Sequence, residues 1–178
     1  MTREQQRMAF DRKFAETILL ERGEILPMFV IHSAAAPLPV GIPLRNDEEK
    51  AYDFMHALCI VHEADGLSMI SEAWMRTLPP NPSPEEIARG AANCPDRVEV
   101  VIVAQAWIDD NGAKQGCATV QTIVRDASGR VVGLDDREAS PGTTVQGVLF
   151  DILPDRPPTD TEKAEARALV ARTKAWMP

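Results

Sequence analysis

The stretch Val98-Glu99-Val100-Val101-Ile102-Val103-Ala104-Gln105-Ala106-Trp107-Ile108-Asp109-Asp110-Asn111-Gly112 decides the fold. Its first eleven residues are rich in β-branched side chains, which suit a pleated surface. Val98, Val100, Ile102 and Ala104 fall on one side of such a strand, and Val101, Val103 and Trp107 on the other. With apolar side chains on both sides, both faces of this strand must be at least partly covered. Asp109-Asp110-Asn111-Gly112 then reads as a hairpin, because Asn and Gly tolerate the positive φ of a tight turn. Residues 116–124 return, Asp126-Ala127-Ser128-Gly129 turns again, and residues 130–134 continue the sheet. A meander of this kind, with hairpins instead of helical crossovers, predicts an antiparallel sheet.

Upstream, residues 3–22 read as a helix, with Phe10, Phe14 and Ile18 at i, i+4 spacing, Met8 and Leu19 beside them, and Gly23 as its stop. Residues 25–31 read as a strand, with Pro27 at its start or on an edge. Residues 38–42 could form a short strand pairing back on it. A second helix follows, with Asn46 and Glu49 as capping box, Ala51, Phe54, Met55, Leu58, Val61 and His62 along one face, and Gly66 as its end. Residues 67–75 form the next strand. Residues 77–97 are a proline-rich loop, holding one short helix capped by Ser83, with Pro84 first and Glu86 as capping partner. After an acidic loop at 135–142, residues 144–153 read as one more strand. Thr159 and Glu162 then open a C-terminal helix with Ala166, Leu169, Val170, Thr173 and Met177 inward. The expected architecture is one α+β domain spanning 1–178, with a mainly antiparallel sheet of about five to seven strands and three main helices.

Composition narrows the function. The 178 residues suit one domain, and 44% hydrophobic with 26% charged residues is ordinary for a globular protein. The net charge of −8, with 19 scattered bases against 27 acids, argues against nucleic acid, whose binders cluster Lys and Arg. No apolar run is long enough for a membrane span, and the charged N-terminus does not read as a signal peptide. Cys59, Cys94 and Cys117 fit neither a zinc framework nor a disulfide scaffold, so a reducing cytoplasm is expected. Cys94, in the long loop, is the one expected to be exposed and reactive.

Ser71-Glu72-Ala73-Trp74-Met75, followed by Pro82-Ser83 and Pro95-Asp96-Arg97-Val98-Glu99-Val100, resembles a group of uncharacterised bacterial and phage proteins. In these a strand ending in Glu-Ala-Trp precedes a proline and serine loop and a hairpin. The resemblance covers about the central half of the chain. It implies a bacterial or mobile-element origin, and no activity, cofactor or catalytic residue.

Two residues stand out as catalytic candidates. Glu72 shares a strand face with Ile70 and Trp74, and a carboxyl among apolar neighbours has its pKa raised if buried. An arginine such as Arg97 could equally satisfy it. His32 ends the first strand beside Ser33, but neighbours on a strand point to opposite faces and cannot form a nucleophile pair. His56 and His62 are six apart on a helix and cannot chelate one ion together. No phosphate loop, nucleophile elbow or calcium loop is present, so no cofactor and no metal is expected. Ligand binding through His32 and nearby acids is a third, lesser reading.

The expectation is a non-enzymatic cytoplasmic interaction or accessory protein. Its partner would be another protein or a second copy of itself, reached through a strand edge or through Trp74, Trp107 or Trp176. The alternative is a small enzyme using Glu72 in a cleft under the 77–97 loop.

Overall fold

The computed structural model describes residues 1–34, 36–41, 48–136 and 148–174. The elements are α1 (Arg3–Arg22), β1 (Met28–His32), β2 (Leu38–Gly41), α2 (Glu48–Val61), β3 (Gly66–Met75), α3 (Pro84–Arg89), β4 (Val98–Ile108), β5 (Lys114–Arg125), β6 (Val131–Asp136), α4 (Val148–Ile152) and α5 (Asp160–Lys174), with a 3-10 turn at Ala91–Asn93. The six strands form one antiparallel sheet in the order β2-β1-β3-β4-β5-β6. The fold is α+β, as the meander predicts.

Both hairpin turns are built alike. Asp109 Oδ1 accepts the backbone N–H groups of Asn111 and Ala113, each at 2.9 Å, and Asp126 Oδ1 accepts those of Ser128 and Arg130 at 2.9 and 3.1 Å. Gly112 and Gly129 hold φ of 80° and 83°, where a side chain would be strained.

The sheet is covered on both faces. α2, α4 and α5 lie on one, where Phe29, Ile31, Leu67, Ala104 and Ala106 meet Phe54, Met55, Leu58, Leu149, Ile152 and Val170. α1 lies on the other, where Met8, Ala15 and Leu19 meet Val30, Ile70, Val101, Val103, Ile123 and Val131. Among the described residues, capping boxes start three helices: Thr2 with Gln5, Ser83 with Glu86, and Thr159 with Glu162.

Three expectations need correction. Gly66 does not end α2; it opens β3. α2 ends one turn earlier, where Ala64 N–H reaches Cys59 O at 2.8 Å and Glu63 N–H reaches Ile60 O at 3.2 Å. This is the six-to-one pattern of a left-handed cap, and the residue in it is Glu63, at φ 51°. Gly66 makes room for a side chain instead. A Cβ there would stand 2.7 Å from the Arg7 guanidinium, so the glycine lets Arg7 reach the sheet.

Residues 148–152 are helical and not part of a strand. Leu149, Ile152 and Leu153 recur at i, i+3, i+4 and bury together on the apolar face, so helical spacing wins over the β-branched run before them. Residues 144–147 lie outside the described set, as do Ile42, Asn46, Trp176 and Met177; for Glu49 only the backbone is described.

The inner row of α1 is Met8, Asp11, Ala15 and Leu19, with Arg7 beside it. Phe10 is exposed and stacks on Phe14 along the flank, with ring centroids 6.0 Å apart. Cys94 is buried, with its thiol donating to Gly90 O at 3.3 Å, so the long loop folds its cysteine inward.

Candidate functional site

His32 and Glu72 occupy the α1 face at opposite ends of β3. His32 pairs with Gly66 in the register, six residues before Glu72. At the rise of a strand this puts roughly 20 Å between them. They do not form one site.

His32 belongs to a sealed cluster. Asp11 Oδ2 accepts Ser68 O–H at 2.5 Å, His32 Nε2 at 3.0 Å and the Gln105 amide at 3.4 Å. Ser68 Oγ lies 3.2 Å from His32 Nε2 and accepts the Gln105 amide at 3.3 Å. None of the four side chains is more than 1% exposed. The composition is that of a nucleophile relay, but the geometry is not. A relay holds the acid on one imidazole nitrogen and the serine on the other. Here Asp11 and Ser68 converge on the same nitrogen, and the serine proton goes to the acid. With no exposed atom to receive a substrate, the cluster fastens α1 to β1, β3 and β4.

The anchoring continues along α1. Arg7 pairs with Asp65, as does Arg3 at 2.5 Å. Arg12 pairs with Asp136 on β6, and that guanidinium holds the Asp136 carboxyl below its ordinary range. Sequence reasoning missed Asp11 and Gln105. The available signals were an acid inside the row Met8-Ala15-Leu19 and an amide inside the apolar run of β4.

Glu72 lies at the other end of the sheet, half-buried. Its carboxylate accepts Ile25 N–H, so the connection from α1 to β1 covers it, not the 77–97 loop. Burial pushes its pKa up, Ile25 N–H and Arg125 pull it down, and Glu99 and Glu24 push it up further. Arg125 is held bidentately by Glu99, at 2.7 and 2.9 Å, and also donates to Gly23 O at 3.3 Å. Arg97 is not the partner of Glu72. Its guanidinium lies 4.3 Å from the centroid of the Trp74 ring, and it donates to Ala92 O.

Trp74 is the next residue on that face, paired with Glu99, and is 44% exposed. Leu26, beside Ile25, is 63% exposed. Leu78 and Ile87, on the loop that leaves the same strand end, are exposed as well. Trp107, at the far end, is only partly exposed.

Concavities among the described residues are lined elsewhere. One, of about 500 Å³, lies between α1 and β5–β6 and is lined by Arg12, Lys13, Glu16, Gln121 and Asp136. An apolar groove of about 420 Å³ lies beside Met8, Trp107 and Cys117. Another lies by His56, Ile60 and Glu162. His56 Nδ1 meets Ile152 O at 2.7 Å, which ties α2 to α4. Among the described residues no group of three or more His, Cys, Asp or Glu side chains could hold a metal ion, and no helix is long and apolar enough to cross a membrane. Burial pushes the Cys59 thiol up to about 12, leaving it protonated and unreactive.

No protein-family model, no curated protein and no solved structure matches the chain.

Proposed function

We propose that this chain is a non-enzymatic interaction or accessory protein of the cytoplasm, and that it meets its partner at the end of the sheet around Trp74. A bacterial or phage origin is part of the proposal and rests on the resemblance carried by residues 71–75, 82–83 and 95–100. The observation behind the interaction reading is an indole 44% exposed at a strand end, with Leu26 also exposed, next in the chain to Ile25, whose N–H meets Glu72 on the same strand face. Trp is among the side chains that concentrate binding energy at interfaces, and clustered exposed apolar groups mark such surfaces. The net charge of −8 disfavours nucleic acid as the partner.

The test is a photo-crosslinking amino acid placed at position 74 and, as control, at the exposed Arg167 on α5. A discrete adduct from position 74 alone supports the reading. Light scattering on the purified protein then separates a second copy from a foreign protein. No adduct at position 74 in the source cell would sink it.

One observation favours a second reading, an enzyme using Glu72. The carboxyl is raised by burial and by Glu99, a property of general acids and bases. That reading requires a reaction lost in Glu72→Gln with the fold unchanged.

A further inference from the structure

We infer that the surface made by Trp74, Leu26, Glu24, Glu72 and Glu99 receives an arginine or lysine side chain of the partner protein. This rests on the interaction reading above and adds the chemistry of the occupant.

The argument is charge complementarity on an exposed apolar floor. At Glu72 three carboxylates, Glu24, Glu72 and Glu99, face one guanidinium, that of Arg125. Arg125 is already committed to Glu99 and to Gly23 O. Even with Arg97 on the Trp74 ring counted beside Arg125, the acids outnumber the cations, and a further cation would offset the excess. The exposed ring beside these acids is an indole, the side chain whose face attracts cations most strongly. Arg97 demonstrates that affinity within the chain, at 4.3 Å from the centroid. Part of the ring remains open beyond Arg97, since the side chain is 44% exposed. Leu26 gives the aliphatic stem of an incoming Arg or Lys an apolar surface to lie on. Glu99 is already paired with Arg125, so an anionic or purely apolar occupant would leave the excess charge of Glu24 and Glu72 without a cation.

The test uses the full chain, labelled with nitrogen-15, and two small probes. N-acetyl-arginine amide carries the charge, and N-acetyl-citrulline amide has nearly the same shape without it. The arginine probe is expected to move the Trp74 indole N–H resonance and leave that of Trp107 in place, while the citrulline probe moves neither. Replacing both Glu24→Gln and Glu72→Gln should weaken the arginine response roughly three- to tenfold, the scale of two exposed ion pairs. The unmoved Trp107 signal verifies that the variant is folded. Equal responses to both probes would overturn the inference, as would an arginine response that the double variant leaves unchanged. A cross-link that forms at position 74 while the arginine probe moves nothing overturns the cationic occupant and keeps the interaction face. A specific arginine response with no cross-link overturns the interaction reading instead.

Discussion

The two faces of the sheet are held by different chemistry. Under α2, α4 and α5 the buried cluster is apolar throughout, from Phe29 and Leu67 to Ile152 and Val170. Under α1 lie all six buried polar side chains of the described residues: Arg7, Asp11, His32, Ser68, Gln105 and Gln121. The apolar face gains stability from area removed from water, which is non-directional. The polar face adds directional bonds that are satisfied in only one placement of the helix. Such bonds are worth little net against water, but breaking one partner is costly. The comparison therefore predicts similar losses from single deletions on both faces, and opposite responses to wholesale apolar replacement.

The largest effect should come from Phe29→Ala, which opens a cavity in the apolar cluster and costs about 3–5 kcal/mol in denaturant unfolding. Asp11→Ala should cost about 3 kcal/mol, because it strands the donors of Ser68, His32 and Gln105. Replacing all four polar residues together by Leu, Ala, Phe and Leu at 11, 68, 32 and 105 should restore most of that loss. If the quadruple variant is less stable than Asp11→Ala, the polar face contributes net stability and the contrast between the faces fails.

Thr2→Ala and Thr159→Ala remove one cap from each side of the sheet, and each should cost about 1 kcal/mol. A silent Thr2→Ala would mean that α1 is held by its polar anchors regardless of its own first turn. Glu63→Gly relieves a left-handed residue at the end of α2 but removes its 2.6 Å pair with Lys163. Backbone relief of about 1 kcal/mol outweighs a solvent-screened pair and leaves a small gain in melting temperature.

The smallest effects are those of pH. Arg12 beside Asp136 and Arg156 beside Glu162 hold both carboxyls low, Glu162 at about 2. A depressed folded pKa gives stability that is present above the ordinary carboxylate range and lost as pH falls through the folded value. Glu162→Gln should flatten the acid limb of the stability curve between about pH 4.5 and 2. Glu72 works in the opposite sense. Its raised pKa means the folded state holds its proton longer, so its contribution improves as pH falls. Glu72→Gln should therefore gain stability at neutral pH relative to acid. A loss at neutral pH would mean that the bond from Ile25 N–H outweighs burial.

What was legible in the sequence is what is decided locally. The bounds 3–22 for α1 and 98–108 for β4, and the caps at Ser83 and Thr159, depend on neighbours within a few residues. The position of Trp74 and Glu72 on one face follows from strand alternation alone. The partners of Glu72 did not follow, since Ile25 lies 47 residues away and Arg125 reaches it from β5. The inner face of α1 was ambiguous for a physical reason. Phe10-Phe14-Ile18 is the more apolar row, but burying Asp11 with three donors outweighs burying Phe10. Only the tertiary register brings those donors together.

The separation of those donors along the chain has a consequence for synthesis. Asp11 precedes His32 by 21 residues, Ser68 by 57 and Gln105 by 94. At ribosomal speeds of about 5–20 residues per second, roughly 5–20 s pass between the emergence of Asp11 and that of its last partner. Through that interval α1 has no completed surface to settle on, and its carboxylate stays hydrated. α1 is thus made well before its final seat is complete, and nascent chains arrested before β4 should leave it accessible to protease.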